Sequence, residues 1–281
     1  MTISRRTALK GFATAGAISL RSASADAGPA AWLRVAGRPV EVAVTPIDRR
    51  IVRVSVVPLE DGRLQPIPSD GSLVREDWGP PQVRLTASPD PLTIRVESRE
   101  GGRLIQEIRV DRENGSFTFH LGDAPILGLG EGGPQFDRRG SADRMRSGQG
   151  GYRLRTHGGR VPVHWLIGTG GWAMFVHQPY GTFDLTGAEG RFTSTRGAQP
   201  LPLDLFIVTA RDPAQIMAEW ARLTGLPEMP PLWALGYQQS HRTLASREEV
   251  LSVARTFREK KLPCDALIYL GTGFCPSGWN T

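Results

Sequence analysis

From about residue 30 to residue 208, short apolar or alternating runs recur between clusters of Gly, Pro, Asp and Asn. The runs are 40–44, 51–57, 92–96, 104–110, 116–121, 161–167 and 203–208. Period-two alternation with β-branched residues and frequent turn signals predicts strands. Their spacing predicts an antiparallel sandwich, and its length calls for broader sheets than an immunoglobulin-type domain of about 100 residues. No helix of ordinary length is expected in this stretch. The glycines of 128–133 read as turns. Gly128, Gly130 and Gly133 spell GxGxxG, but no helix follows to aim its N-terminus at a phosphate, so a dinucleotide site is not expected.

The pattern changes at Asp212. Asp212 as N-cap, Pro213 at the first helical position, Ile216, Trp220 and Leu223 on one face and Gly225 beyond predict a helix of about three turns. After a linker at 226–231, the run 233–237 reads as a buried strand. Ser246 and Glu249 form a capping box opening a second helix with Val250, Val253, Ala254 and Phe257 as its apolar stripe. Lys260 and Lys261 suit the helix C-terminus, Pro263 stops it, and 266–270 is a further apolar strand. This is a βαβ unit, with parallel strands and a right-handed crossover. Two parallel strands need neighbours on both edges, so the chain is expected to be the front part of something longer.

The first twenty-five residues change the meaning of the charge. Ser4 to Lys10 carry a twin-arginine pattern, 11–20 is mildly apolar, and Ala23, Ser24 and Ala25 form a small-residue site. That order predicts a twin-arginine (Tat-type) export signal and a periplasmic or secreted protein. Its ten apolar residues fall short of the roughly 20 that span a bilayer, and stable membrane insertion is not expected. The formal charge is +6. Arg5, Arg6, Lys10 and Arg21 hold much of that excess, and the remaining basic residues, Lys260 and Lys261 apart, are scattered arginines. Nucleic-acid binding is not expected. Cys264 and Cys275 are too few for a disulfide framework, though close enough to pair. The histidines show no metal-ligand spacing, so no metal is expected.

Four pieces of the sequence resemble landmarks of glycoside hydrolase family 31, the retaining α-glucosidase and α-xylosidase family. They are GLGE at 128–131 with DRRG at 137–140, the run 160–179, ARLTGLPEMPPLW across the junction at 221–233, and 230–240 with 248–270. The resemblance implies a galactose-mutarotase-like antiparallel β-sandwich followed by the first βαβ unit of a truncated (β/α)8 barrel. The corresponding divisions are an export signal at 1–25, a sandwich at 26–228 and the start of the barrel at 229–281. It implies hydrolysis of terminal α-linked glucosides, xylosides or galactosides without a cofactor, on an oligosaccharide or glycoside substrate.

Retaining glycosidases need two carboxyl groups about 5–5.5 Å apart. The resemblance puts both aspartates on later barrel strands, so no catalytic residue is assigned here and the 281-residue chain is expected to be inactive. Barrels of this kind build their sites at the C-terminal ends of the strands. The implied sugar-facing positions are therefore Gln239, Ser240, His241 and Arg242 after the first strand, and Leu270, Gly271, Thr272, Gly273 and Phe274 after the second. Leu270 stands where the family usually has a hydroxyl-binding aspartate, Arg242 near a usual aromatic residue, and 148–152 lacks the usual Asn-x-Asp-like loop. Asp265 matches an aspartate early in the strand and reads as structural.

Two other functions are compatible with the sequence. One is a non-catalytic carbohydrate-binding sandwich, with Trp165, Trp172, Phe183 or Trp279 stacking on sugars, although large aromatics are more often core. The other is a mutarotase-like epimerase using Glu131, His164 and His177, which demands that the three converge.

Overall fold

A computed structural model describes residues 17–20, 33–81, 83–85, 92–97, 102–133, 135–146, 160–178, 180–195, 198–242 and 244–270. The chain divides into two compact units, 1–225 and 226–281.

The first unit is an antiparallel β-sandwich, with strands numbered along the chain. One sheet runs, in spatial order, β1 (Ala17–Leu20), β7 (Leu92–Glu97), β8 (Leu104–Val110), β9 (Phe117–His120), β15 (Glu189–Ser194), β14 (Gly181–Asp184) and β11 (Ala142–Arg144). The other runs β10 (Ile126–Glu131), β12 (Val161–Gly168), β13 (Trp172–Val176), β16 (Leu203–Val208), β4 (Ile51–Glu60), β3 (Arg38–Pro46) and β2 (Arg34–Val35). Two short strands join it, β5 (Arg63–Leu64) beside β4 and β6 (Val83–Leu85) beside β3.

Alternation fixes which residues enter the space between the sheets. Val40, Val42 and Val44 of β3 and Leu92, Ile94 and Val96 of β7 are fully buried there, with Phe117, Phe119, Phe183 and Phe192. The Phe183 and Phe192 rings lie 4.9 Å apart, and Phe119 meets Trp172 of the opposite sheet at 6.3 Å. Burying each such side chain contributes about 1.5–3 kcal/mol.

A second apolar layer covers the outer face of the larger sheet. It is made by helix α1 (Pro213–Thr224) and by the segment 65–81. Ile216 and Leu223 pack with Trp165, Phe175 and Phe206, and Trp220 lies 4.8 Å from Trp165. This explains why β13 and β16 are apolar at every position but one. Trp172, Met174 and Val176 face the inner core, while Ala173 and Phe175 face the outer layer. Asp212 caps α1 through a 2.9 Å bond from the Ala214 amide. The Gly225 amide closes the helix by donating to Ala221.

The second unit contains a 3-10 turn (Leu232–Leu235), β17 (Gln238–Arg242), α2 (Arg247–Glu259) and β18 (Ala266–Leu270). β17 and β18 pair in parallel, with Gln238 opposite Ala266 and Arg242 opposite Leu270. Ser246 accepts from the Glu249 amide, as the N-cap of a capping box does, while the Glu249 carboxylate reaches one residue further back and accepts from the Ala245 amide.

Two sequence expectations need correction. The strand is not 233–237 but 238–242: Pro230 and Pro231 deliver the chain into a 3-10 turn closed by the Gly236 amide on the Trp233 carbonyl. Trp233, Leu235 and Tyr237 are consequently exposed. The glycine-rich stretch 128–133 begins as strand rather than turn. Residues 126–131 are β10, and the register slips between Gly128 and Gly130 where it pairs β12. Gly128 and Gly130 have positive φ, and a Cβ on either would strike backbone of β12, so this bulge tolerates only glycine there. The export-signal stretch lies outside the described residues apart from Ala17–Leu20, which pairs with β7.

Candidate functional site

In the second unit the parallel pairing brings the C-terminal ends of both strands to one end. Ser240 stands opposite Ile268, His241 opposite Tyr269 and Arg242 opposite Leu270. Gln239 to Arg242 are therefore part of β17, not a loop after it, as the corrected strand position requires. Gln239 and His241 project to one face of the strand and Ser240 to the other. Ser240 and His241 are exposed and Gln239 is half-buried. The Tyr237 hydroxyl donates to the Gln239 side-chain oxygen at 2.6 Å, and the Gln239 amide donates to the Ser240 carbonyl. These are polar groups open to a ligand. Gly271, Thr272, Gly273 and Phe274 lie outside the described residues.

The opposite end of the pair is closed by structure rather than chemistry. The Asp265 carboxylate occupies the space beside Gly236 where a side chain would otherwise project, and the Asp265 amide donates to the Tyr237 carbonyl at 2.9 Å. A groove along α2, lined by Phe257, Arg258, Cys264, Asp265 and Leu267, sits at this end. Arg258 donates to the Cys264 carbonyl, and the Cys264 thiol to the Ala266 carbonyl. Cys275, its possible partner, lies outside the described residues.

The sandwich holds two buried charge clusters. Asp204 on β16 is fully buried, a lone carboxylate inside the run LDLFIV. It accepts from Arg53 Nε and Nη2 at 2.8 and 2.9 Å, from Ser55 Oγ at 2.9 Å and from His177 Nδ1 at 3.0 Å. The other imidazole nitrogen, Nε2, lies 3.0 Å from Asp70. Burial opposes the charge on His177, but the bonds to Asp204 and Asp70 outweigh it and raise its pKa above the ordinary value. Burial likewise opposes ionisation of Asp204 and Asp70, yet their hydrogen bonds lower both. No sequence pattern marked this cluster in advance.

A second cluster lies toward β10, β11 and β12. Arg138 donates to the carbonyls of Gly128, Gly130 and Gly132 at 3.0, 3.3 and 2.9 Å, and holds the bulged β10. A Cβ on Gly133 would collide with the Arg138 guanidinium. Arg160 bonds Asp143 at 2.8 Å, although burial dominates and holds the Asp143 carboxyl above its usual value. Burial, helped by Arg160, pushes His164 down to about 4.

These positions decide among the sequence-derived candidates. His164 rings against Phe183 and Phe192 of the inner core, whereas His177 stacks on Phe175 in the outer layer. Glu131 is exposed at the end of β10. The three do not form an epimerase acid–base set. Trp165, Trp172 and Phe183 are buried core rather than a sugar platform, and Trp279 lies outside the described residues. Among the described residues no three His, Cys, Asp or Glu side chains gather as a metal site.

The fold defined so far is an antiparallel sandwich followed by the opening βαβ unit of a parallel barrel. Residues 227–270 match the family model described as the glycosyl hydrolases family 31 TIM-barrel domain. The chain is similar to α-glucosidase 2 of Bacillus thermoamyloliquefaciens, 37% identical over 91 residues, which cover 32% of this chain and 11% of that protein. It is similar also to an α-xylosidase of Saccharolobus solfataricus, 31% identical over 78 residues, covering 28% and 11%. Among solved structures, a family 31 dextranase of Flavobacterium johnsoniae complexed with glucose superposes with a TM-score of 0.65 at 20% identity, covering 81% of this chain and 31% of that one. Over residues 227–270 this chain therefore matches the barrel domain of glycoside hydrolase family 31. The matched region spans about a tenth of the length of these curated relatives.

Proposed function

We propose that this chain is the N-terminal part of an exported retaining α-glycosidase acting on terminal α-linked glucosides, xylosides or galactosides. The observation that carries the reading is the parallel pair β17–β18 bridged by α2, in the segment that matches the family 31 barrel. Similarity to an α-glucosidase and an α-xylosidase supports the substrate class, and the twin-arginine pattern at Arg5 and Arg6 supports export to the periplasm or the outside.

In this reading the sugar meets the C-terminal ends of the strands, at Gln239, Ser240, His241, Arg242 and Leu270 and at the following Gly271, Thr272 and Phe274. Exposed amide, hydroxyl and imidazole groups there offer hydrogen bonds to sugar hydroxyls. They do not supply a nucleophile and an acid, which a retaining mechanism needs on two carboxyl groups about 5–5.5 Å apart. Both carboxylates are proposed to lie on barrel strands beyond β18, so the 281-residue chain alone is inactive.

The test is release of nitrophenol from nitrophenyl α-glucoside, α-xyloside and α-galactoside. The 281-residue chain should remain at background, while a version continued through the downstream reading frame should turn over at least one substrate. A folded, continued version without turnover on all three would overturn the reading, and turnover by the 281-residue chain that survives repurification would overturn the assignment of catalysis to later strands.

A further inference from the structure

His177 is flanked on both ring nitrogens by carboxylates, and only one protonation state satisfies both. Asp204 already accepts from Arg53 and Ser55 and cannot leave its buried position. It therefore fixes the Nδ1 proton of His177. Nε2 then faces Asp70, whose carboxylate is ionised in all but acid conditions. With a proton on Nε2 the contact is a charge-assisted hydrogen bond. Without it, a nitrogen lone pair faces a carboxylate at the same distance, and the contact turns repulsive.

Asp70 does not belong to a strand. It begins the segment 70–79 that lies over the outer face of the larger sheet. Its carboxylate also accepts from the Ser72 amide at 2.8 Å, so the orientation of the chain here depends on it. Further along, the Val74 amide donates to the Leu223 carbonyl, Arg53 donates to the Glu76 carbonyl, and Trp78 stands edge-on to Phe206 at 6.0 Å. The closed position has a built-in cost, because Trp78 Nε1 is buried without a partner among the described residues. A segment held by few bonds, with a buried polar atom unmet, is poised to leave when one anchor fails.

We propose that the Asp70–His177–Asp204 chain is a proton-operated latch: it holds segment 70–79 against the outer sheet face while both imidazole nitrogens carry protons, and frees it when Nε2 loses its own.

The groups facing the latch from the elements around it are Asp204 on β16, Arg53 and Ser55 on β4, Asp70 on the segment itself, and the Phe175 ring on β13. The sign of the effect follows from the raised pKa of His177. Its stabilisation is complete below the unfolded-state value of 6.5 and is lost as pH rises through the higher folded value. The lowered Asp70 pKa sets the acid limit, with the latch failing as pH falls below about the ordinary carboxylate range. The latch is thus closed in mildly acidic medium and opens as pH rises through the raised His177 value. Opening would uncover Phe206 and Trp78.

The test is amide hydrogen exchange on the full 281-residue chain between pH 5.5 and 9, corrected for intrinsic exchange. Protection at Ser72 and Val74 should fall by about tenfold for each unit by which the His177 pKa is raised, while amides of β4 and β16 stay protected. Asp70→Asn should give weak protection of 70–79 that no longer follows His177. Since Asp70 is partly exposed, that variant should keep the sandwich. The His177 ring titration, followed by NMR, should move toward the ordinary histidine value in Asp70→Asn. Unchanged protection of 70–79 across the range in the natural chain would overturn the proposal. Full pH dependence retained in Asp70→Asn would overturn it equally.

Discussion

The Asp265 carboxylate fills the space that a side chain at Gly236 would need, and this single relationship sets where β17 begins. Gly236 ends the 3-10 turn and Asp265 opens the chain into β18, so packing one against the other, with the Asp265 amide on the Tyr237 carbonyl, aligns the two strands before their ladder starts. Gly236→Ala should therefore cost the second unit about 1–3 kcal/mol through overpacking. The check is a double-mutant cycle with Asp265→Ala, read by amide exchange in β17 and β18. Removing the carboxylate should recover most of the loss, and additive effects of the two changes would show that the contact does not set the strand.

The bulged β10 depends on Arg138, which ties together the carbonyls of Gly128, Gly130 and Gly132 on either side of the register slip. Arg138→Met keeps much of the stem but leaves these acceptors without that donor. It should lower the stability of the first unit by about 3 kcal/mol in denaturant unfolding. Gly133→Ala should be destabilising for the same reason, because the new methyl displaces the guanidinium. A wild-type midpoint in both variants would refute the clamp.

His164 gives an acid-side signature distinct from that of His177. Burial holds it at about 4, so it stays neutral in the folded sandwich while the unfolded chain binds a proton below 6.5. Its contribution is present above 6.5 and is lost as pH falls from there toward 4, a change on the order of 3 kcal/mol. His164→Leu removes the titration. The difference in unfolding free energy between natural chain and variant should slope between pH 6.5 and 4 and be flat above. A flat difference throughout would contradict the burial of the neutral ring.

Helix α1 carries the outer layer, and its start is fixed by one side chain. Asp212→Ala removes the acceptor for the Ala214 amide and should cost about 1 kcal/mol. In a unit of this size that is a fall in Tm of about 2–4 °C. Asp212→Asn should restore most of it, because the amide oxygen can still accept.

Much of this architecture was legible in residue patterns. The seven expected strands match β3, β4, β7, β8, β9, β12 and β16, and Asp212 and Ser246 cap the helices as their side chains suggested. Strands whose outer faces are covered were harder to see. β13 (Trp172–Val176) is buried on both sides and shows no alternation, and the glycines of β10 look like turn residues although they serve a bulge. β17 was misplaced for the opposite reason. Its residues QQSHR are polar, and only pairing with β18 makes them strand, while the apolar run before it is exposed. The charge cluster at Asp204 joins β4, β13, β16 and the segment at 70, and contacts at such separations leave no local pattern.

The central claim is that 227–270 is a working opening of a family 31 barrel, and a chimera measures it most directly. The segment 227–270 of this chain would replace its counterpart in α-glucosidase 2 of Bacillus thermoamyloliquefaciens, leaving that enzyme's later barrel strands in place. Hydrolysis of nitrophenyl α-glucoside, α-xyloside and α-galactoside by the purified chimera is then compared with the parent. The account predicts measurable turnover with a changed preference among the three sugars, because under the proposed function Gln239 to Arg242 and Leu270 would line one side of the site. A chimera that folds with the parent's circular dichroism and Tm yet hydrolyses none of the three would contradict it.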